Sequence, residues 1–410
     1  MKILAIEDAF PPELTSARLP FEFANELAER GHEVTVVTVI PRKFLLPEES
    51  FESHKRRFFY WEDTERFLTL RVQPYLKTKS LATRFFEYSV LPLSLFVGGL
   101  IVGRKKNIIH CQSPPLTVAF AACVLSKILK KPLIIRIQDI HPDALIKIGI
   151  LKNSVLIRLM ELVEVFVYDS ASHITVIAEG YRRHLISKGI REDKISLIPN
   201  WADINKLSPP KNNDFRKRMG WEAKFIITYA GTMSWPQDLE TVVESAGMLK
   251  NYKDIAFLMV GDGVKREYLI RRSKELELDN IVFMPLQPRD EYSKILYASD
   301  VCVVPLRRQF TSPTMPSKML EIMACEKPMI INVPFSSDVQ RIVKDAECGV
   351  WVEPENPKDF SKAVLTLHDN SSLVSKLGEN GLSYLRNHLT LKACMDRYEE
   401  LLNFLVKTRK

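Results

Sequence analysis

Short apolar runs rich in β-branched residues alternate with helical patterns along almost the whole of this 410-residue chain. Residues 34–39, VTVVTV, have the strand pattern, and residues 18–30 place Phe23 and Leu27 on one helical face with Gly31 as the C-cap. Most of the apolar runs lack polar alternation, which is typical of parallel strands buried on both faces. The sequence therefore predicts an α/β protein with doubly wound parallel sheets.

Two series of predicted strands are separated by a polar stretch, SPPKNND, at residues 208–214. The strands are predicted at residues 2–6, 34–39, 68–72, 108–111, 133–137, 174–177 and 195–198, and at 225–229, 257–260, 281–283, 301–304, 328–331 and 350–352. We place two domains at residues 1–205 and 206–388, followed by a C-terminal helix over 389–410. Two α/β halves of this size predict a cleft between them, with ligands at the carboxyl ends of the strands.

The composition is that of an ordinary globular protein, with 46% hydrophobic and 26% charged residues. It excludes a disordered, collagen-like or coiled-coil chain. The six cysteines include no CxxC pair, so neither a zinc cage nor a disulfide framework is expected, and a reducing, cytosolic compartment is favoured. The apolar run at the N-terminus ends at Glu7-Asp8 and is too short for a signal peptide.

The basic residues are concentrated between residues 71 and 158, where fourteen Lys and Arg side chains face three acidic ones. This local charge of +11 exceeds the +8 of the whole chain and surrounds an uncharged run at residues 90–102, VLPLSLFVGGLIV. The run has 13 residues, whereas about 20 are needed to cross a bilayer. It is either a buried helix under a solvated basic face or a surface that dips into an anionic membrane. Nucleic acid is not expected, because no recognised binding motif accompanies the charge.

In the membrane alternative, apolar side chains enter the acyl boundary while neighbouring cations meet lipid phosphates. The apolar set is Leu91, Leu93, Leu95 and Phe96, and the basic set is Arg84, Arg104, Lys105 and Lys106. Each cation near an anionic surface contributes about 1 kcal/mol.

Common nucleotide and hydrolase motifs are missing from the sequence, including GxGxxG, Walker A, HExxH and GxSxG. No DxD-like acidic pair is present that would suit a metal-bound nucleotide. Gly261-Asp262-Gly263 follows the strand predicted at 257–260, but such a turn is common in α/β proteins. Any phosphate chemistry must therefore take its positive charge from helix termini and basic side chains.

A helix predicted to begin near Ser317 provides such a terminus. Its free backbone N–H groups, the Ser317 hydroxyl and the Lys318 ammonium converge where a diphosphate would be stabilised. Glu321 lies one turn further along the same face, where a carboxylate can accept hydrogen bonds from a ribose diol. The alternative is an ordinary helix start followed by a surface glutamate.

Segments spread over the whole chain resemble one protein family. In the first half they are Phe10-Pro11-Pro12-Glu13, Glu29-Arg30-Gly31-His32-Glu33-Val34, Gln112-Ser113-Pro114-Pro115, Asp139-Ile140-His141-Pro142-Asp143 and Ile198-Pro199-Asn200-Trp201-Ala202-Asp203. In the second half they are Tyr229-Ala230-Gly231-Thr232-Met233, Gln237-Asp238-Leu239-Glu240, Val260-Gly261-Asp262-Gly263, Pro316-Ser317-Lys318 and Glu321-Ile322-Met323-Ala324. In their order and spacing they resemble the family 4 glycosyltransferases of the GT-B fold. The most similar branch is the surface-polysaccharide type, colanic-acid and O-antigen, with a Pro-Ser-Lys donor loop.

The resemblance implies two Rossmann-like domains that face each other across a cleft. Residues 1–205 would bind the acceptor and residues 206–388 the nucleotide sugar, and the helix over 389–410 would return to the first domain. The implied activity is a retaining, metal-independent hexosyl transfer from a nucleoside diphosphate sugar, with UDP as the expected nucleotide and no cofactor. The implied acceptor is a polyprenyl-linked or other glycan, used by an enzyme bound peripherally to the cytoplasmic face of the cell membrane.

The resemblance and the basic window together assign site residues. The donor-binding residues are Gly231, Thr232, Gln237, Gly261, Asp262, Gly263, Ser317, Lys318 and Glu321. The catalytic residues are Asp139, His141 and Lys318, and the acceptor and membrane set is Glu13, Arg18, Leu93, Phe96, Arg104, Lys105 and Lys106. Either Asp139 or His141 is expected to contact the transferred sugar or the acceptor hydroxyl. The alternative for His141 is that it orients the turn at Pro142.

Several donor positions depart from the family pattern. The first of the family's two paired glutamates falls at Pro313. The arginine and lysine that hold the diphosphate in many relatives fall at Thr232 and Gln237. We therefore expect Lys318 to be the main remaining cation at the donor diphosphate.

Two positions of the first domain also differ. The family's frequent histidine falls at Gln138, which leaves His141 as the nearest imidazole, and the glycine pair of its opening loop falls at Thr15-Ser16. Close approach of the backbone to the donor is less favoured there without glycine. These departures keep two other functions open: a nucleotide-sugar epimerase or phosphorylase of the same fold, and a non-catalytic partner subunit.

Overall fold

The computed structural model describes residues 1–12, 18–40, 59–72, 81–147, 149, 151–202, 204, 209–210, 212–310 and 315–407, with the backbone alone at 81–89 and 147. The chain forms two compact units. Unit 1 comprises Met1–Asn200 and Cys394–Lys410, and unit 2 comprises Trp201–Ala393. Each unit is built on one sheet whose parallel strands are connected by helices.

The described part of unit 1 contains an eight-stranded sheet. Its strands are β1 (Lys2–Glu7), β2 (Glu33–Val39), β3 (Phe59–Asp63), β4 (Leu68–Val72), β5 (Ile108–Ser113), β6 (Leu133–Ile137), β7 (His173–Val176) and β8 (Ile195–Leu197). They are arranged in the order β3-β4-β2-β1-β5-β6-β7-β8. The chain switches direction across the sheet at β1, between β2 and β5, and ligands of such sheets bind at the carboxyl ends of the strands beside that point.

The helices of unit 1 connect successive strands. They are α1 (Arg18–Glu29), α2 (Leu81–Gly103), α3 (Leu116–Leu129), α4 (Asp143–Lys147), α5 (Ser154–Ser170) and α6 (Glu179–Ser187). Helices α2, α3 and α5 pack side by side, with α3 in the middle.

Unit 2 carries a fully parallel sheet of six strands in its described residues. These are β9 (Phe225–Ala230), β10 (Ile255–Val260), β11 (Ile281–Met284), β12 (Val301–Pro305), β13 (Met329–Asn332) and β14 (Gly349–Val352), in the order β11-β10-β9-β12-β13-β14. The helices are α7 (Phe215–Met219), α8 (Leu239–Met248), α9 (Arg266–Glu275), α10 (Arg289–Ala298), α11 (Ser317–Ala324), α12 (Asp338–Asp345), α13 (Pro357–His368) and α14 (Ser371–His388). Here the switch point lies between β9 and β12.

The final helix, α15 (Leu391–Lys407), is anchored to unit 1 by polar contacts. Tyr398 is buried, and its hydroxyl lies 3.0 Å from Oγ1 of Thr175 on β7. Nε2 of His32 lies 2.8 Å from Oε2 of Glu399.

The sequence prediction of two doubly wound α/β units is confirmed, and each predicted strand is present to within two residues at either end. Strand β3 is not predicted. It is an edge strand whose side chains alternate between half-buried and exposed, and it pairs with β4 in the antiparallel direction. Its sequence signal is alternation over only five residues, which is weak in a sequence dominated by buried parallel strands.

Helix α2 contains the uncharged run, and one side of this helix is buried while the other is exposed. A Cβ at Gly98 would lie 2.7 Å from Val37 of β2, and one at Gly99 would lie 2.4 Å from Leu125 of α3. The glycines therefore allow α2 to approach the sheet and α3 closely. The opposite stripe of the helix, Leu93, Val97 and Ile101, is exposed. Within the described ranges, no helix combines the length and the apolar character needed to cross a bilayer.

Three of the residues predicted to contact a membrane are wrong for that role. Leu91 and Leu95 are buried, because they lie on the glycine-bearing side of α2 that packs into unit 1. Lys106 is 4% exposed, and its Nζ donates to Oε1 of Glu33 at 3.0 Å and to Oγ1 of Thr35 at 2.7 Å. Its ammonium is thus committed inside the unit rather than presented to lipid phosphates.

Candidate active site

The loops after β9 and β10 pack with their backbones in contact. The N–H of Gly231 donates to the carbonyl of Val260 at 2.9 Å. A Cβ at Gly261 would lie 1.9 Å from the Gly231 carbonyl oxygen, and one at Gly263 would lie 2.3 Å from the Met233 carbonyl oxygen. This packing explains why the turn carries glycines, and their contact with a donor stays a prediction.

The start of α11 places Lys318 against the same loop. Its Nζ lies 2.7 Å from the position that a Cβ would take at Gly231, so a larger residue there would displace the ammonium. The same Nζ donates to the hydroxyl of Tyr229 at 3.1 Å and lies 4.2 Å from the centroid of its ring. Tyr229 is fully buried near the end of β9, and its hydroxyl donates to the Thr232 carbonyl at 2.6 Å.

The environment of Lys318 lowers the pKa of its ammonium group. Its side chain is half-buried, and this burial lowers the pKa of the ammonium to about 7, while Glu321 acts in the opposite direction. An anion bound beside Lys318 would favour the charged form and raise the pKa again. Lys318 therefore carries its positive charge mainly at neutral or lower pH.

Glu321 lies one turn after Lys318 on α11, and its Oε2 accepts a hydrogen bond from the Tyr292 hydroxyl on α10 at 3.0 Å. Burial raises the pKa of Tyr292, and the negative charge of Glu321 adds to that effect. Ser317 at the start of α11 is exposed, and Pro316 at the N-cap supplies no side-chain hydrogen bond to the first turn. That turn has the N–H groups and the dipole that favour a bound anion.

The remaining predicted donor residues lie in the two loops. Thr232 and Asp262 are exposed. Gln237 is half-buried, and its Oε1 accepts from the Ser234 hydroxyl at 2.6 Å, so it braces the loop after β9. Among the predicted donor residues, the structure thus brings Gly231, Thr232 and Lys318 together through Tyr229.

Asp238, which the sequence motifs do not single out as functional, connects three loops of unit 2. Its carboxylate is buried and accepts from Nδ2 of Asn332 at 3.0 Å and from the backbone N–H of Glu355 at 2.7 Å. Asn332 ends β13 and Glu355 follows β14, so the connection depends on spatial neighbours that are far apart in the sequence. It holds the end of the loop after β9 against the ends of β13 and β14.

Asp139 and His141 lie just after β6 in unit 1, and both are half-buried. Burial raises the pKa of Asp139, opposed by His141 and by the N–H of Ile140, which donates to Oδ1 at 2.9 Å. Burial also lowers the pKa of His141, opposed by Asp139. Both shifts favour neutral forms, and a neutral imidazole can accept a proton.

Gln138, at the position of the family's histidine, belongs to a buried polar cluster at the carboxyl end of β6. Its side-chain amide lies against that of Asn200, and Oδ1 of Asn200 accepts from Nη2 of Arg136 at 2.6 Å. The amide therefore joins the segment after β8 to β6. The contacts of Gln138 in this protein are therefore structural.

Arg18 and Glu13 are predicted to contact the acceptor. Arg18 is half-buried, with Nε 3.6 Å from Oε1 of Glu22 on the same helix, and Glu13 lies outside the described residues. Across the part of the chain that the structure describes, no group of three or more His, Cys, Asp or Glu side chains is arranged to hold a metal ion.

Comparison with known proteins decides the family. The sequence model "Glycosyl transferase 4-like domain" matches residues 20–201, and "Glycosyl transferases group 1" matches residues 211–383. Together they account for nearly the whole of both units. The chain belongs to the GT-B glycosyltransferases.

Relatives and solved structures agree with this assignment. The glycosyltransferase is 25% identical over 367 residues to WcaI of Escherichia coli K12, a protein assigned as a colanic acid biosynthesis glycosyl transferase, covering 87% of this chain and 89% of that protein. It is similar to sucrose-phosphate synthase of Thermosynechococcus elongatus, with a TM-score of 0.77, 16% identity and full coverage of both chains. It is also similar to HepE of Anabaena in complex with UDP, with a TM-score of 0.74 and 14% identity over 98% of this chain and 100% of that one.

The sequence patterns do not identify Tyr229 and Tyr292 as functional. Tyr229 contacts Lys318 and Tyr292 contacts Glu321, the two main candidate donor-binding residues of this glycosyltransferase. Tyr229 reads as an apolar residue of a buried strand, and Tyr292 as a position on an ordinary helix. The one signal that could have indicated Tyr229 is a tyrosine near the end of a strand, just before a loop that begins with glycine.

Proposed function

We propose that the protein is a retaining hexosyltransferase that transfers a sugar from a UDP-sugar to a lipid-linked saccharide. The observation that carries the proposal is the placement of Lys318 against Gly231 at the start of α11, with Glu321 one turn further along. A cation, a helix N-terminus and a carboxylate in that order suit a diphosphate followed by a ribose.

In this proposal the diphosphate lies against the first turn of α11 and the Lys318 ammonium, and Glu321 accepts hydrogen bonds from the ribose hydroxyls. Negative charge grows on the diphosphate as the bond to the sugar breaks. A positive group already in place stabilises that charge without reorganisation in the transition state. The leaving phosphate then helps to deprotonate the acceptor hydroxyl on the same face of the sugar, which gives retention. No metal ion is needed as long as Lys318 supplies the countercharge.

The nucleotide and the acceptor class are supported by the relatives. HepE was solved with UDP and also with UDP-glucose, and WcaI is assigned to the biosynthesis of colanic acid. Asp139 and His141 of unit 1 are the candidates that contact the transferred sugar or the acceptor. A proton-transfer role for His141 predicts that His141→Asn loses activity, since asparagine keeps a hydrogen-bonding group but cannot accept a proton.

A membrane-bound acceptor is supported by the surface of unit 1. The adjacent helices α2, α3 and α5 present a set of exposed large apolar side chains, which we call the three-helix surface: Leu93, Val97, Ile101, Phe120, Ile128, Val155, Leu156, Leu159, Leu162 and Val165. Exposed apolar groups on this scale mark interaction surfaces. Exposed basic residues accompany them: Arg104, Lys105, Lys127, Lys130 and Lys152. Apolar groups accompanied by cations suit an anionic lipid surface.

Thermal unfolding in the presence of nucleotides tests the donor part of the proposal. UDP and UDP-sugars should raise the unfolding midpoint, whereas GDP and dTDP should raise it less. A ligand at 100 times its dissociation constant stabilises the folded state by about 2.7 kcal/mol. A midpoint that no nucleotide raises would overturn the proposed site. Slow release of UDP from a UDP-sugar by the purified protein would in addition exclude a non-catalytic subunit.

A further inference from the structure

Tyr229 contacts Lys318 in two ways at once. The ammonium lies 4.2 Å from the ring centroid, and Nζ donates to the hydroxyl oxygen at 3.1 Å. A cation over an aromatic face and a charged hydrogen bond are each favourable, and more so away from water. Because Tyr229 is fully buried, its ring has little freedom to move. The lysine side chain, by contrast, has four rotatable bonds and would otherwise occupy many positions.

The hydroxyl of Tyr229 has a defined direction. Its proton is donated to the Thr232 carbonyl at 2.6 Å, so the lone pairs face Lys318. The hydroxyl therefore joins the backbone of the loop after β9 to the first turn of α11.

A second tyrosine makes the equivalent contact with Glu321. Tyr292 projects from α10 and donates to Oε2 of Glu321 at 3.0 Å. Tyr292 is half-buried, and a hydrogen bond to a carboxylate is stronger than one between neutral groups. This contact fixes one oxygen of the carboxylate and with it the plane in which the group accepts further hydrogen bonds.

We propose that Tyr229 and Tyr292 are positioning residues that hold Lys318 and Glu321 in the geometry required for the nucleoside diphosphate before it binds. The inference rests on the proposed donor site. Preorganised groups bind and stabilise a transition state more effectively than mobile ones, because they are ordered before the substrate arrives. Tyr229 lies on β9 and Tyr292 on α10, so two other elements of unit 2 orient the side chains of Lys318 and Glu321 on α11.

The pairing also predicts a pH effect. A hydrogen bond accepted from the charged form of Lys318 favours that form, so loss of the Tyr229 hydroxyl should lower the pKa of Lys318 further. The groups facing Lys318 in the described structure are Tyr229 from β9 and Glu321 on its own helix, with Tyr292 from α10 reaching Glu321. Burial raises the pKa of Tyr229, so its hydroxyl stays neutral over the range in which Lys318 titrates.

The test uses three conservative variants of the full chain: Tyr229→Phe, Tyr292→Phe and, as a matched control, Tyr398→Phe. The control also removes a buried tyrosine hydroxyl with a hydrogen bond, but in unit 1. UDP affinity is measured by calorimetry, and UDP release from UDP-glucose is measured for kcat and KM from pH 5 to pH 9.

Tyr229→Phe should lower kcat/KM about 10-fold and move its decline at alkaline pH toward lower pH. Tyr292→Phe should weaken UDP binding about 5-fold and leave the position of that decline nearly unchanged. Tyr398→Phe should reduce thermal stability and change neither quantity. If the parent binds UDP but both donor-site variants match it in affinity and in pH profile, the inference is wrong. If the parent binds no nucleotide, the proposed function itself fails.

Discussion

Nδ1 of His110 lies 3.4 Å from Oε1 of Glu7 in the interior of unit 1, and both side chains are almost completely buried. Burial raises the pKa of Glu7 to about 8, opposed by Arg136, and lowers the pKa of His110 to about 3, with Arg136 adding to the shift. Neither ring nitrogen of His110 has a hydrogen-bond partner among the described residues. Between these pKa values both groups are neutral in the folded protein.

This pair predicts how stability depends on pH. The pKa of Glu7 is raised on folding, so its contribution is fully present below the unfolded value of 4.5 and is lost as pH rises toward about 8. The pKa of His110 is lowered, so its contribution is present above the unfolded value of 6.5 and is lost as pH falls toward about 3. Each effect has a slope of about 1.4 kcal/mol per pH unit. They cancel between pH 4.5 and 6.5, and stability falls on either side.

Glu7→Gln should therefore remove the loss of stability between pH 6.5 and 8, because the amide does not ionise. The acidic loss should then begin at pH 6.5 instead of 4.5, because nothing offsets the titration of His110. Unfolding midpoints measured from pH 4 to pH 9 check this. His110→Gln is the matched control: it should remove the acidic loss and move the start of the alkaline loss from pH 6.5 to 4.5. Curves of the parent and Glu7→Gln that run parallel from pH 6.5 to 8 would show that Glu7 is already ionised in the folded protein.

Lys318 should determine the alkaline limit of activity. The free enzyme loses the ammonium as pH rises through about 7, so kcat/KM for the donor should decline there, while kcat declines at higher pH because bound diphosphate keeps the lysine charged. Lys318→Met should lower turnover about 10²–10³-fold. Lys318→Arg should be less active than the parent but show no decline up to pH 9, because a guanidinium stays charged. A decline that persists in Lys318→Arg would belong to another group.

Replacement of Gly261 by alanine should destabilise the protein more than replacement of a glycine without close neighbours. Gly261 has φ of 149°, and a Cβ there would lie 1.9 Å from the Gly231 carbonyl oxygen. Gly261→Ala should therefore destabilise the protein by about 2–4 kcal/mol, from backbone strain together with the displaced loop. Gly220→Ala is the control, since its φ of 64° is also positive but no atom lies within 4 Å of the added Cβ. It should cost about 1 kcal/mol. Equal losses in denaturant titrations would contradict the packing explanation.

The sequence predicts the strands well and the site less completely, for physical reasons. Buried parallel strands are nearly continuous apolar runs, so β9 and β12 are visible without any partner. The contacts that shape the site are made between elements far apart in the chain. Tyr229 and Lys318 are 89 residues apart in the sequence, and the local pattern of neither segment predicts their contact. The burial of Lys106 likewise depends on Glu33 and Thr35 of β2, so a local charge count could not predict it.

Activity should not depend on a divalent metal ion. In the proposed site the positive charge at the diphosphate comes from Lys318 and the N-terminus of α11, so chelation removes nothing that the reaction requires. Dialysis against EDTA should leave UDP release from UDP-glucose within about twofold of the untreated enzyme, and added Mg²⁺ or Mn²⁺ should not stimulate Lys318→Met. Loss of activity on dialysis that Mn²⁺ restores would show that a metal, and not Lys318 alone, neutralises the leaving group.

The three-helix surface should bind anionic membranes. The charge variant is Arg104→Glu with Lys105→Glu, two exposed residues at the end of α2, and it leaves the buried Lys106 in place. It should abolish most binding to vesicles that contain anionic lipid. Binding of the parent should weaken strongly with salt, because the Debye length falls from about 10 Å at 0.1 M to about 3 Å at 1 M.

The apolar part of the surface is tested separately. Leu93→Ser with Val97→Ser and Ile101→Ser removes the exposed stripe of α2 and should weaken vesicle binding at every salt concentration, because burial of apolar area is not screened. The matched control reverses two exposed charges of unit 2, Lys250→Glu with Lys358→Glu, and should bind like the parent. Sedimentation with vesicles of defined composition measures all four proteins. If the parent stays in solution with anionic vesicles at low salt, the three-helix surface has another partner and a soluble acceptor becomes the better assignment.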